Sequence, residues 1–186
     1  MKAIIISGPP AVGKTTVAKA LAEELGLKMI GGGDLLKELA EREGMDARGE
    51  DWWDKREGMK FLERRMAERR FDEEADRMLI EFAEKGDVVI TSYTLPWLYK
   101  GGIKIWLHAS KEERARRMAK RDGISYEEAL RIVEERDRRN SELYKRLYGI
   151  EFGPDPDAFD FIIRTDGIDK DKVVKISCEL VKLLLK

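Results

Sequence analysis

The sequence predicts an α/β fold, a doubly wound parallel sheet of five strands with long helical insertions. Three observations carry this. Five short apolar runs are each followed by helical sequence, the alternation from which parallel sheets are built. A glycine-rich loop, GPPAVGKTT at residues 8–16, joins the first run to the first helix. The helical stretches after the second and fourth runs are longer than a crossover needs, and insertions past the carboxyl ends of strands lie where ligands bind in this architecture.

Taken in order, KAIIIS reads as a buried strand, apolar on both faces. KTTVAKALAEEL, residues 14–25, is helical, and Gly26 closes it. LKMI is a short second strand, after which Asp34 in GGGDLLKELAEREG is placed to cap a helix ending at Gly44. Residues 45–86 are expected to be mostly helical, with a break near RRFD. DVVITSY and IKIWLHA are the third and fourth strands. Residues 111–121 and 125–147 form charged helices; Gly123 stops the first and Ser125 caps the second. FDFIIRT is the last strand and residues 169–185 the last helix. A chain of 186 residues favours one domain, here with a core of residues 1–33, 86–121 and 157–186 and two helical insertions, 34–85 and 122–156.

With 42% hydrophobic residues the chain can bury a core, and its net charge of −1 marks no general nucleic-acid or polybasic membrane binder. It has no glutamine and one asparagine, Asn140, while Lys, Arg and Glu abound, a pattern of proteins from hot environments. The single cysteine, Cys178, excludes an intrachain disulfide and a thiolate metal cluster, and fits a reducing compartment. Its place in VVKISCELVKLLLK, where apolar residues recur at helical spacing, predicts a packed core thiol. MKAIIIS is too short for the apolar part of a signal peptide, and no stretch approaches a membrane span. A soluble, cytoplasmic protein is expected.

Gly8, Gly13, Lys14 and Thr15 satisfy G-x-x-x-x-G-K-[ST], with a strand before and a helix after. This is the phosphate loop (P-loop) of nucleotide-binding proteins: Gly8, Pro9, Pro10, Ala11, Val12, Gly13, Lys14, Thr15 and Thr16 wrap a polyphosphate. The glycines let backbone N–H groups point inward, and the helix beginning at Lys14 adds the positive end of its dipole. Lys14 would reach the β and γ phosphates of a bound nucleotide, and the Thr15 hydroxyl would ligate Mg²⁺.

Two helices are rich in cations. One carries Arg114, Arg116, Arg117, Lys120 and Arg121; the other Arg136, Arg138, Arg139, Lys145 and Arg146. Arg117 and Arg121 are four apart and share a helix face. A hydrolase or switch needs few such groups, whereas phosphoryl transfer to an organic acceptor needs several, because charge builds on the moving group with water excluded. The alternative, an ion-pair-laced surface, stays open for each arginine on composition alone.

SGPPAVGKTTVAKALAEELGLK, IKIWLHASKEERARRMAKRDGISYEEAL and LYKRLYGIE resemble stretches of the nucleoside monophosphate kinases, and within them the archaeal-type cytidylate kinases. The resemblance covers nearly the whole chain. It implies that residues 34–85 bind the acceptor and 122–156 form a lid. It also implies transfer of the γ-phosphoryl of ATP, with Mg²⁺, to CMP or dCMP by a monomer whose partners are nucleotides, with no stable nucleic acid or membrane. GGGDLLKE is similar to the segment whose aspartate, here Asp34, stands near the magnesium. KEERARRMAKRDG matches the paired arginines at the base of the lid, Arg117 and Arg121, and ERDRRN the lid arginines, Arg136 and Arg139. FDEEADR resembles the region contacting the pyrimidine or its phosphate, through Asp72 and Arg77.

The chain departs from the family after the third strand. An acid or glycine followed by an arginine is expected there to grip the acceptor phosphate; TSYTLPW puts Thr91, Ser92 and Tyr93 in those positions. Tyr93 can hydrogen-bond or stack but cannot form a bidentate ion pair. Trp52 and Trp53 can stack on a base or anchor the inserted helices, and anchoring is the expectation; His108 can shuttle a proton but is expected to be a polar residue at a strand end. A different acceptor, or a nucleotide-dependent interaction module without turnover, remain the alternatives.

Overall fold

The structure is a computed structural model and describes residues 1–49 and 51–185. Five parallel strands form one sheet: β1 (Ile4–Ser7), β2 (Lys28–Gly31), β3 (Val88–Thr91), β4 (Ile103–His108) and β5 (Phe161–Arg164), in the order β2-β3-β1-β4-β5. β1 lies at the centre, with Ile5 beside Ile90 of β3 and Lys104 of β4. Its isoleucines 4, 5 and 6 are wholly buried and face alternately. Ile4 and Ile6 pack with Val17, Ala18 and Leu21 of α1 (Lys14–Leu25) and Cys178 and Val181 of α8 (Lys170–Leu185). Ile5 packs on the other side with Leu36 and Leu39 of α2 (Gly32–Arg42) and Leu79 and Ala83 of α4 (Arg70–Lys85). A strand covered on both faces has no solvent side, which is why it reads as an unbroken apolar run.

The insertion after β2 contains α2, a 3₁₀ turn at Trp52–Asp54, α3 (Arg56–Ala67) and α4. It is less helical than expected: residues 45–49 are irregular, and the break between α3 and α4 falls at Glu68 and Arg69, so Phe71 and Asp72 are already within α4. Phe61 and Phe71 meet edge to face with centroids 5.1 Å apart, holding α3 to α4. Trp52 is buried and contacts Trp53 at 4.8 Å and Phe61 at 5.8 Å, the anchoring role expected of it. Asp34 does not cap α2. The helix starts at Gly32, with Gly31 extended before it, and Asp34 stands in the first turn. The carboxylate folds back over Gly31, where a side chain would collide with it.

After β4, α6 (Lys111–Asp122) and α7 (Tyr126–Tyr148) pack against one another. Their bounds follow the capping residues closely. Ser110 and Ser125 accept from the N–H groups of Glu113 and Glu128, and Gly123 and Gly149 close the helices in the left-handed conformation. A four-residue helix after β3, α5 (Leu95–Leu98), departs from the expectation; at its start Ser92 Oγ accepts from the N–H groups of Thr94 and Leu95. Cys178 is buried, as its spacing predicted. Among the described residues no helix is long and apolar enough to cross a membrane.

Candidate active site

The loop after β1 turns back over the start of α1. Its path requires positive φ at Gly8 (140°), Ala11 (59°) and Gly13 (104°). A Cβ at Gly8 would collide with the carbonyl oxygen of Leu107 in β4, so this position is glycine for space as well as conformation. Gly13 begins α1 with no side-chain cap, leaving the first helical N–H groups to an anion. Lys14 Nζ donates to the carbonyls of Gly8 and Pro9, both at 2.8 Å, and lies 4.7 Å from the centroid of the Tyr93 ring. Burial first, then the charges of Arg136 and Arg114, hold the Lys14 ammonium well below its ordinary range. A bound polyanion relieves such crowding of cations.

These groups line one end of a cavity of about 970 Å³. It passes Gly31 to Asp34 and Thr91 to Thr94 and reaches Arg65, Asp72, Asp76 and Tyr144 at the other end. Arg117 closes the loop side: its guanidinium donates to the carbonyls of Val12 (3.2 Å) and Thr165 (2.7 Å) and to Thr165 Oγ1 (3.0 Å). Arg114, nearly buried, donates to Pro10 O at 3.3 Å and is paired bidentately with Asp137 at 3.0 and 2.5 Å. Both side chains tie α6 to the phosphate loop. Thr15 and Thr16, exposed at the head of α1, and Asp34 face the same cavity.

Asp54 organises the middle. This carboxylate, 5% exposed, accepts from Arg121 at 2.5 Å and from Arg136. One acid of the first insertion thus holds an arginine of α6 and one of α7. Arg136 also reaches the Tyr93 hydroxyl at 3.5 Å. Burial keeps the Tyr93 phenol above its usual range, so it remains a neutral donor. Its ring packs on Tyr144 and Phe152, with centroids 5.8 and 5.4 Å apart.

At the far end Arg65 donates to both carboxylate oxygens of Asp72, at 3.0 and 2.5 Å, and to the Tyr144 hydroxyl at 3.2 Å. Next to this pair, Asp76 accepts from Thr94 Oγ1 at 2.5 Å and Tyr148 OH at 2.7 Å. Burial pushes its carboxyl up to about 6 despite these two donors, with Asp72 adding in the same direction.

The cavity brings together Lys14, Thr15, Thr16, Asp34, Asp72, Tyr93, Arg117, Arg121 and Arg136. Of the residues picked from the sequence outside the phosphate loop, two lie elsewhere. Arg139 pairs with Glu135 at 2.5 Å and Glu63 at 2.9 Å, and Arg77 is exposed on α4, paired with Glu81 at 2.7 Å. His108 ends β4, its carbonyl accepting from Thr165. Asp54, Arg65 and Asp76 are not among the residues that the sequence singles out, and Arg114 stands out only as one cation of a basic helix. A signal existed for Arg65: it follows Phe61 and Leu62 at i+4 and i+3, an arginine on an apolar stripe, where a charge is buried only with a partner.

The model of the cytidylate kinase-like family matches residues 3–167. The chain is 35% identical to the cytidylate kinase of Ignicoccus hospitalis over 177 residues, 94% of this chain and 96% of that one. It is 37% identical to the cytidylate kinase of Pyrobaculum aerophilum over 184 residues, covering 96% and 92%. Among solved structures, shikimate kinase from Bacteroides thetaiotaomicron superposes with a TM-score of 0.60 at 22% identity, covering 99% and 98% of the two chains. Shikimate kinase from Acinetobacter baumannii in complex with shikimate gives 0.57 at 20% identity, covering 100% and 96%. These structural likenesses speak to the P-loop kinase fold alone, while the extent and identity of the sequence matches settle the kinship: this chain belongs to the cytidylate kinase-like family.

Proposed function

We propose that the chain transfers the γ-phosphoryl group of ATP to the phosphate of CMP or dCMP. The observation that carries this reading is the single cavity joining the phosphate loop to a second, polar end between α3, α4 and α7. A hydrolase needs room for water beside the γ phosphate; this cavity has room for a second substrate. Lys14 and the N–H groups of the loop hold the donor phosphates, and Arg117 braces the loop. Arg136 and Arg121 converge from two helices on the middle of the cavity, where charge accumulates during transfer. Asp72 and Tyr93 are the candidate acceptor contacts within it, while Arg139 and Arg77 would have to leave their present carboxylate partners to serve. Residues 34–85 and 122–156, the acceptor-binding and lid regions, exclude water when they close on the substrates.

The donor set suits magnesium. Among the described residues no three carboxylates, histidines or cysteines cluster as a metal cage, and Mg²⁺ in such sites is held by one or two protein groups, phosphate oxygens and water. Thr15 and Asp34 would supply the protein groups, and the ion would neutralise phosphate charge. A monomer acting in the cytoplasm completes the proposal.

Tyr93 favours a second reading, in which the fold and donor stay but the acceptor is another monophosphate or an alcohol. A coupled ADP-release assay over a panel of nucleoside monophosphates and small alcohols tests both. Turnover stimulated by CMP or dCMP supports the first reading, and stimulation only by another acceptor supports the second. ATP binding without acceptor-dependent turnover overturns both in favour of an interaction module.

A further inference from the structure

Asn140 is the one asparagine in a chain without glutamine. It is 2% exposed, on the face of α7 that also carries Arg136 and Tyr144, each four residues away. A buried amide is ordinarily hydrogen-bonded. Asn140 has no side-chain hydrogen bond to any described residue, and it is among the residues that line the cavity. The buried charged side chains next to it are engaged: Arg65 with Asp72 and Tyr144, Asp76 with Thr94 and Tyr148.

Its position gives it a place along the substrate. One turn before it stands Arg136, next to Tyr93, Asp54 and the phosphate end of the cavity. One turn after it stands Tyr144, joined to Arg65 and Asp72. Each step is about 6 Å along the helix, so the amide lies where the nucleoside follows its phosphate. Leu62, Tyr144 and Tyr93, which pack in one apolar cluster, give this stretch of the cavity flat, non-hydrogen-bonding walls. Such walls suit a planar base better than sugar hydroxyls, which would need further polar partners.

We propose that Asn140 is a substrate-binding residue whose amide pairs with the base edge of the acceptor nucleotide. This rests on the kinase reading above. An amide offers a donor and an acceptor side by side. The N4–H of cytosine donates and its N3 accepts, the complement of the amide, as the N6–H and N7 of adenine are to asparagine in DNA recognition. Turned over, the same amide matches the N3–H and O4 of uracil, so UMP, where it is a substrate at all, is expected to lose as much as CMP when the amide is removed.

The experiment compares wild type with Asn140→Leu, close in size but unable to hydrogen-bond, and Asn140→Ser, smaller and able to make a single bond. KM and kcat are measured for CMP, dCMP and UMP, and ATP binding is titrated separately by calorimetry. Asn140→Leu is expected to lower kcat/KM for CMP and dCMP alike by about tenfold to a hundredfold, Asn140→Ser by less, with ATP affinity unchanged in both. A loss seen with CMP but absent with dCMP places the amide on the 2′-hydroxyl and overturns the assignment, as does unchanged kinetics in both variants. Equal weakening of ATP binding and acceptor use also overturns it, marking Asn140 as structural. A wild-type chain that binds ATP but turns over none of the three acceptors refutes the kinase reading itself, a separate failure from an active wild type with indifferent variants.

Discussion

Replacing Asp72 by alanine separates two roles that its position allows. Its side chain is 4% exposed and its partner Arg65 2% exposed, joined through both carboxylate oxygens. Without Asp72 the guanidinium keeps the Tyr144 hydroxyl and the face of Trp53, 5.7 Å away, but no counter-charge. Breaking a buried pair by removing one partner costs about 3–5 kcal/mol. For a chain of this length each kcal/mol moves Tm by roughly 2–4 °C, so Asp72→Ala should melt some 6–20 °C below wild type, roughly the product of those ranges. Far-UV circular dichroism gives the melt, and urea titration gives a second measure. The double variant Arg65→Met with Asp72→Leu removes the pair without stranding a charge and should recover most of the loss. A fall of less than about 3 °C in Asp72→Ala, below the smallest change that penalty allows, would refute the reasoning. A raised acceptor KM at unchanged Tm would then make Asp72 a substrate contact that water already solvates.

Three further predictions rest on separate observations. Asp76, whose carboxyl is raised to about 6 by burial, binds its proton more tightly in the native state than in the unfolded chain. It therefore contributes stability below about pH 4 that is lost as pH rises to 6, close to 3 kcal/mol at roughly 1.4 kcal/mol per unit. Urea unfolding of wild type and Asp76→Asn from pH 4 to 7 should show wild type losing this increment relative to the variant, and a constant difference would count against it. The Cys178 thiol, pushed up to about 12 by burial and by Glu24, should alkylate with iodoacetamide at least about a hundredfold more slowly in the native protein than in urea; equal rates would place it at the surface. Arg136→Ala should lower kcat by on the order of tenfold to a thousandfold through loss of preorganised charge, and an unchanged kcat would remove it from the mechanism.

The phosphate loop, the central strand and the capped helices α6 and α7 each announce themselves within a few residues, because a strand covered on both faces, a glycine at positive φ and a serine at a helix start are local requirements. The signals failed where local chemistry was ambiguous. A four-residue helix is too short to show a period, so α5 was invisible in TSYTLPW. Three glycines let the chain enter α2 before Asp34, so the expected cap became a first-turn acid.

By itself the sequence determined the sheet, the loop that holds a polyphosphate, and the family, since these depend on short stretches whose residue types leave few alternatives. Which charges meet was decided only by the tertiary structure. Asp54 lies 67 and 82 residues from the arginines it holds, and Arg65 lies 79 from Tyr144. A chain that is 39% charged offers each arginine many acids. Helix packing selects among them by desolvation: a charge carried into the interior must bring a partner with it. That selection left Arg77 and Arg139 with carboxylates outside the cavity and set Arg136, Asn140 and Tyr144 in one line within it.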